Sequence, residues 1–323
     1  KPLNITYVIQ NAKFDLKFLY LHARFFPEKV FDTMLAEQLL YMGHENIKSS
    51  LDVLSLKYLD KKLDKSTRSL ILEGVLNERV VRYSVDDVKV LLPIKQQQLK
   101  IIKLLKEEKA MDIENVFVQA LAYIELSGLY IDVHKWTDKC ITQETLFVEQ
   151  TRILDKWVLD NAKKFKLERF VISQPTLFDK EVKCLVSWSS PSQVIPLFKA
   201  LGINTITVDK ETGEVKDTVE ADSLIHQAEQ FPIIPLYLRY KELQKETTTY
   251  GRNFLEQIDP TTGRIYSSFK QLVKTGRLSS GKDNAKEKKI NFQNIPATKE
   301  TRQCFVAQSG NVLVSADYSQ QEQ

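Results

Sequence analysis

Thr275-Gly276-Arg277-Leu278-Ser279-Ser280, Asn291-Phe292-Gln293-Asn294-Ile295-Pro296 and Ser315-Ala316-Asp317-Tyr318-Ser319-Gln320-Gln321-Glu322 follow one another near the C-terminal end of this 323-residue chain. Asn311-Val312-Leu313-Val314-Ser315-Ala316 reads as a buried strand that delivers the Asp317 carboxylate at its end. A strand end is a rigid place to fix a metal ligand, and hard oxygen ligands suit magnesium. The two stretches upstream supply an arginine and several carboxamides, groups that hydrogen-bond phosphates and base edges.

The charge around these stretches fits a polyanion. Between Arg264 and Arg302 ten lysines and arginines face three acids, an excess of seven, while the whole chain carries only +4. The remainder is therefore net negative. A basic zone of this kind is the electrostatic footprint of a nucleic-acid surface. A solvated lysine loop accounts equally for Lys286, Lys288 and Lys289, but not for the basic excess flanking the three stretches.

Composition sets the outer limits. At 43% hydrophobic and 27% charged residues the chain is of globular type, long enough for two or three domains. No apolar run approaches the ~18 residues of a membrane span. Three scattered cysteines and four dispersed histidines suggest reduced, cytosolic thiols and give no support to a zinc or Ser-His-Asp hydrolase.

Taken together, TGRLSS, QNIP and DYSQxE resemble the palm signatures of family-A DNA polymerases, the bacterial and phage polymerase I type. The remaining segments extend the resemblance. Asn11-x-x-Phe14-Asp15, Phe31-Asp32-Thr33-Met34-Leu35 and Tyr83-x-x-x-Asp87 resemble landmarks of the 3′–5′ proofreading exonuclease that precedes the polymerase in that family. Phe117 to Asp132 resembles the entry to the thumb, Val186 to Val194 a thumb-tip segment, and Arg239 to Tyr250 an element whose basic residues, here Lys241 and Lys245, touch template–primer phosphates. The implied architecture is α/β plus α: a ribonuclease-H-like exonuclease domain over 1–110, a helical thumb over 111–250, and the start of an α+β palm over 251–323.

Local signals define the elements. Ile5–Ile9 reads as a strand, followed by an amphipathic helix with Phe14, Phe18 and Leu21 at helical spacing. Asp32 is placed as the N-cap of a second helix, and Ser49-x-x-Asp52 as a capping box for a third over Leu51 to Leu59. Residues 77–108 are expected to be helical with a break at Pro93. A helix from Asn115 to Ser127 should stop at Gly128, and Asp132 should cap a long helix running to about Phe165. Pro191 and Gly202 bracket a short helix, Val208 to Val215 has hairpin chemistry, and Ile233 to Ile258 reads as one helix. Asp259 to Gly263 is a turn leading into a strand pair.

The resemblance implies roles. Asp317 and the Tyr318 carbonyl would hold two magnesium ions, and Glu322 would act as the steric gate against ribonucleotides. Arg277, Asn291, Gln293 and Asn294 would read the minor groove of the nascent duplex, where acceptors are common to all correct pairs. Asp15 and Asp87 would hold metal in the exonuclease domain, with Tyr83 orienting a water. No DxE pair precedes Asp15, so two usual carboxylates are missing and little exonuclease activity is expected. The fingers helix and the second palm acid are also absent after Glu322. A truncated or split polymerase that needs a further chain is therefore expected, binding primer–template DNA and deoxynucleoside triphosphates. The alternatives are a non-catalytic DNA-binding subunit of a split polymerase and a stand-alone 3′–5′ exonuclease.

Overall fold

Strand β1 (Thr6–Ile9) and strand β2 (Lys29–Asp32) run parallel, with Thr6 opposite Lys29 and Ile9 opposite Asp32. Helix α1 (Ala12–Ala23) connects them. The computed structural model describes residues 5–64, 66, 67, 69, 71, 73–175, 180–208, 213–281, 290–316 and 319. The chain divides into two compact units, Lys1–Tyr130 with Asp259–Ile295, and Ile131–Ile258 with Pro296–Gln323.

Helix α1 turns opposite to expectation. Its buried residues are Ala12 and Leu16, whereas Phe14, Phe18 and Leu21 stand about half exposed. The cause lies on its flank. Lys13 and Lys17, one turn apart and next to the Ala12–Leu16 stripe, both pair with the buried Glu125. That double ion pair sets the helix's rotation. Ala12 and Leu16 then join Val30, Phe31, Leu35, Ala36, Leu39, Ile102, Met111, Val118 and Ala122 in the first unit's core.

Helix α2 (Thr33–Leu40) starts on Asp32 as its N-cap, as expected. Helix α3 (Leu51–Leu59) forms over the anticipated residues, but its N-cap is Ser50 and no side chain caps it. Ser49 is engaged elsewhere, accepting from Gln10 and Gln38. Helices α4 (Glu78–Lys89) and α5 (Leu91–Leu105) break at Val90, which puts Pro93 in a first turn where its missing N–H is harmless. Helix α6 (Glu108–Ser127) begins earlier than expected. It contributes Met111, Val118 and Ala122 to the first core, although sequence grouped it with the helical segment that follows.

Gly128 ends α6 at φ +58°, and a Cβ there would lie 2.5 Å from the Ile265 carbonyl oxygen and 2.8 Å from the Tyr266 ring. That close approach lets strand β3 (Leu129–Tyr130) pair antiparallel with β8 (Arg264–Ile265). Strands β9 (Ser268–Lys270) and β10 (Ser279–Gly281) then form an antiparallel ribbon in the same unit.

The second unit is built on α7 (Val133–Asn161), capped by Asp132 through the Lys135 N–H as anticipated. It packs along α9 (Ile233–Thr248). Between them lie the hairpins β4 (Val171–Pro175) with β5 (Lys180–Cys184) and β6 (Ile206–Val208) with β7 (Val215–Asp217), and helix α8 (Pro191–Ala200). Trp188, Phe198, Leu197, Ile233 and Tyr237 are core residues here, and the Trp188 indole donates to Asp155 at 2.7 Å.

Two expectations need correction in this unit. Helix α9 stops at Thr248 rather than Ile258. Gly251 sits so close to the preceding turn that a Cβ would lie 1.9 Å from the Thr247 carbonyl oxygen, and a separate short helix, Arg252–Leu255, follows. Residues 311–316 are not a buried strand: they carry no regular structure and are exposed, Val312 and Val314 at 82% and 86%. An apolar run becomes a buried strand only when neighbouring strands take up its backbone groups, and no described strand pairs with it.

Candidate functional site

The β9–β10 ribbon and the 3-10 turn Phe292–Asn294 carry the residues expected to meet nucleic acid in the first unit. Ser280, on β10, anchors the turn: its Oγ accepts from the Phe292 N–H at 3.0 Å and lies 2.8 Å from the Ser267 Oγ, which donates to the Ile290 carbonyl at 2.6 Å. Gln293 completes the link. Its Nε2 donates to the Leu278 carbonyl at 3.0 Å, and its Oε1 accepts from the Ser280 N–H at 2.8 Å. A side-chain amide thus replaces a neighbouring strand along β10. Asn291 caps the turn, its Oδ1 accepting from the Gln293 N–H at 2.9 Å. Arg277, at the end of the ribbon turn, and Asn294 are exposed. The TGRLSS and NFQNIP stretches are therefore one hydrogen-bonded element.

Glu125 supports the other side of this ribbon. Its side chain is 2% exposed. Oε1 accepts from Lys13 Nζ at 2.6 Å and from the Phe269 N–H at 2.7 Å, and Oε2 accepts from Lys17 Nζ at 2.7 Å. Lys13 Nζ also donates to the Phe269 carbonyl. A lysine–glutamate pair thus satisfies both backbone groups of a β9 residue, as a paired strand would. Sequence reading missed this cluster. Its signal was present in Lys13 and Lys17 at i, i+4 and in a lone glutamate three residues before Gly128.

Asp32 does more than cap α2. It is 1% exposed and accepts from the N–H groups of Asn11 (3.0 Å), Ala12 (2.7 Å), Met34 (2.8 Å) and Leu35 (3.4 Å). One carboxylate therefore closes the N-termini of both α1 and α2, helped by Asn11 at φ +59°. Burial outweighs these four donors and pushes its pKa up to about 6.

The expected exonuclease carboxylates do not line one common cavity. Asp15 lies in the first turn of α1 and is exposed as a residue, yet neighbouring atoms crowd its carboxyl and raise its pKa against a backbone hydrogen bond. Tyr83 and Asp87 share a face of α4 and line a cavity of about 110 Å³ with Asp64, Arg79, Arg82 and Asp86. Asp15 does not line it. Among the described residues no group of three or more His, Cys, Asp or Glu could hold a metal ion. This donor set does not fit a two-metal centre, which needs several carboxylates around cations ~3.5–4 Å apart.

Lys241 and Lys245 lie on α9 in the second unit. Lys241 is half-buried and donates to Gln244 Oε1 at 3.0 Å, while Lys245 is exposed. Asp317, Tyr318 and Glu322, and residues 282–289 of the basic loop, lie outside the described residues. No helix among the described residues is long and apolar enough to cross a membrane.

Comparison with known proteins agrees with this picture. Residues 3–103 match the 3′–5′ exonuclease family, and residues 176–323 match DNA polymerase family A. DNA polymerase I of Pseudomonas aeruginosa is 29% identical over 97% of this chain and 32% of its own length. That of Aquifex aeolicus is 28% identical over 97% of this chain and 50% of its own length. Thermostable DNA polymerase I of Thermus aquaticus is 37% identical over 39% of this chain and 15% of its own. The chain thus spans between about a third and a half of the length of the relatives that cover nearly all of it. Among solved structures, the POL domain of Pol1 from M. smegmatis in complex with DNA primer-template and dNTP matches with a TM-score of 0.62 at 21% identity, over 93% of this chain and 45% of that one. An exonuclease-type α/β region ahead of a polymerase-type region, with the TGRLSS and QNIP stretches joined in one element, leads to one conclusion: residues 176–323 are a DNA polymerase family A region, preceded at residues 3–103 by a 3′–5′ exonuclease family region.

Proposed function

We propose that the chain acts in DNA-templated DNA synthesis, binding primer–template DNA and contributing one side of a nucleotidyl-transfer site. The observation that carries this reading is the polymerase-family match over residues 176–323, which contains the joined TGRLSS–QNIP element. In this reading residues 1–110 are the exonuclease-type domain, 111–250 the thumb and 251–323 the start of the palm. Exposed Arg277 and Asn294 and the capping Asn291 face the duplex. Gln293 keeps the ribbon in shape for them, because both ends of its amide are engaged by the Leu278 and Ser280 backbone. Lys241 and Lys245 supply phosphate contacts, which set affinity and salt dependence rather than sequence preference.

The Asp317 carboxylate and the Tyr318 carbonyl are hard oxygen donors suited to magnesium. Bound there, the ions would favour the attacking hydroxyl and the triphosphate charge. In this reading Glu322 serves as the steric gate against ribonucleotides. No exonuclease step is assigned to Asp15, Tyr83 and Asp87.

Duplex binding followed by fluorescence anisotropy, and primer extension by the complete enzyme, test the reading. Asp317→Ala should abolish extension and spare binding. Arg277→Ala should weaken extension from the primer terminus without altering metal dependence. Equal binding losses in both variants would refute this division of labour. Replacing Lys286, Lys288 and Lys289 by alanine should flatten the salt slope of binding by roughly one for each phosphate that is no longer neutralised, and an unchanged slope would remove the basic loop from the interface.

A further inference from the structure

Helix α7 holds both sides of the break at which α9 ends. On the far side, Trp136 stacks on Phe254 of the short helix Arg252–Leu255 with ring centres 4.1 Å apart, and its indole N–H donates to the Gly251 carbonyl at 3.4 Å. Glu144 accepts there from Arg252 at 2.7 and 2.9 Å. Lys139 holds the near side. Its side chain is 3% exposed, and its Nζ donates to the Tyr250 carbonyl at 3.3 Å. The same ammonium lies 4.6 Å from the centre of the Trp136 ring and 3.7 Å from Oε2 of Glu246, on the last turn of α9. The Tyr250 N–H donates back to the Lys245 carbonyl at 3.4 Å. A buried lysine is thus linked to Lys245 by two routes, through the adjacent Glu246 and through Tyr250.

Stability does not account for Lys139. Taking an ammonium and a carboxylate out of water is offset only by close, hydrogen-bonded pairing. At 3.7 Å the two groups are too far apart for a hydrogen bond, and among the described residues Glu246 Oε2 accepts none. A well-packed apolar pair of similar volume would join α7 to α9 at least as firmly. What the charges add is direction, because they fix which side of the last turn of α9 points inward. Lys245 lies about 100° round the helix from Glu246. It is exposed, so the same contact sets the direction in which its ammonium leaves the helix.

We propose that Lys139, too buried to touch nucleic acid itself, is a positioning residue for duplex binding: through Glu246 and Tyr250 it aims Lys245 at a phosphate. The inference rests on the reading of Lys245 as a phosphate contact.

Duplex binding followed by fluorescence anisotropy across a salt series tests it, with Lys245→Gln, with Lys139→Met and Glu246→Leu combined, and with all three substitutions together. Lys245→Gln should lower the salt slope by about one. The combined Lys139 and Glu246 variant should match the parent in urea unfolding yet lose about the same slope. The triple variant should lose no more than either, since both changes remove one phosphate contact. A parental slope in the combined variant, with a reduced slope in Lys245→Gln, would overturn the positioning role and leave the phosphate contact standing. An unchanged slope in Lys245→Gln would remove the phosphate contact, and the positioning role with it. Additive losses in the triple variant, or a combined variant that unfolds at lower urea, would show that Lys139 serves something other than Lys245.

Discussion

Gln293 stands beside Ser280 as a substitute strand: its Oε1 accepts the Ser280 N–H at 2.8 Å, and its Nε2 donates to the neighbouring Leu278 carbonyl at 3.0 Å. Gln293→Ala removes both bonds and leaves the β10 edge to water. The expected cost is about 1–2 kcal/mol, with faster amide exchange at Ser280. Gln293→Glu keeps the acceptor but sets a carboxylate against the Leu278 carbonyl, and should be at least as damaging. Unchanged exchange at Ser280 in both variants would show that the ribbon does not depend on this residue.

Glu125 offers a sharper measurement. Removing a buried charge that has two cationic partners leaves those cations uncompensated, so Glu125→Ala should destabilise by about 3–5 kcal/mol in urea unfolding. Replacing Lys13, Lys17 and Glu125 together with apolar residues of similar size should recover part of that stability, since no charge is then left buried alone, but not all of it, because the Phe269 N–H and carbonyl lose their partners. A triple variant no better than the single one would place the stabilisation elsewhere.

Gly128→Ala tests the passage from α6 to β3. The added methyl group meets the Ile265 carbonyl oxygen at 2.5 Å, and the backbone has φ +58°. A cost of about 2–4 kcal/mol is expected. Gly310→Ala is the control: it has a positive φ of 84° but open space around it, so it should cost about 1–2 kcal/mol from backbone strain alone. Equal midpoints for the two variants would mean that the Ile265 contact relaxes freely.

Asp32 predicts a pH dependence whose sign runs opposite to that of an ordinary capping aspartate. Its folded pKa of about 6 lies above the unfolded value of about 3.9. Between about pH 4 and pH 6 the folded chain keeps a proton that the unfolded chain has released, so this contribution is complete below pH 4 and is lost as pH rises through 6. The decline should amount to at most about 3 kcal/mol. Asp32→Asn should be less stable at low pH, because an amide offers a single acceptor, but should lack this decline, so the gap between the two proteins narrows as pH rises through 6. Parallel stability profiles for both proteins would rule the effect out.

Local chemistry wrote much of this structure into the sequence. Asp32 and Asp132 cap helices where a short acceptor precedes an apolar periodic run, and Gly128 ends α6 because nothing larger fits. The element boundaries at Pro191 and Gly202 were legible because proline and glycine act on the backbone next to them, whereas the break expected at Pro93 falls three residues earlier, at Val90. What failed depended on residues far along the chain. Periodicity correctly put Phe14, Phe18 and Leu21 on one face of α1, but Glu125, more than a hundred positions away, decides which face turns inward. Residues 311–316 have the composition of a buried strand, a state that exists only beside strands which composition cannot supply. The motif signatures picked out two stretches that join into one hydrogen-bonded element. They could not show that Gln293 would turn its amide to the ribbon, because glutamine reaches a base edge and a backbone with the same two atoms. Asp15 and Asp87 lie on helices with different packing neighbours, which two short motifs do not encode.

The outward face of α1 has a practical consequence. Because charge fixes the rotation of this helix, the half-exposed Phe18 and Leu21 contribute little to holding it in place. They form a tolerant strip on which Phe18→Glu and Leu21→Lys can be introduced to raise solubility while the opposite side of the helix keeps its register. Substitutions at Ala12 or Leu16, only a few ångströms across the same helix, should be far less forgiving.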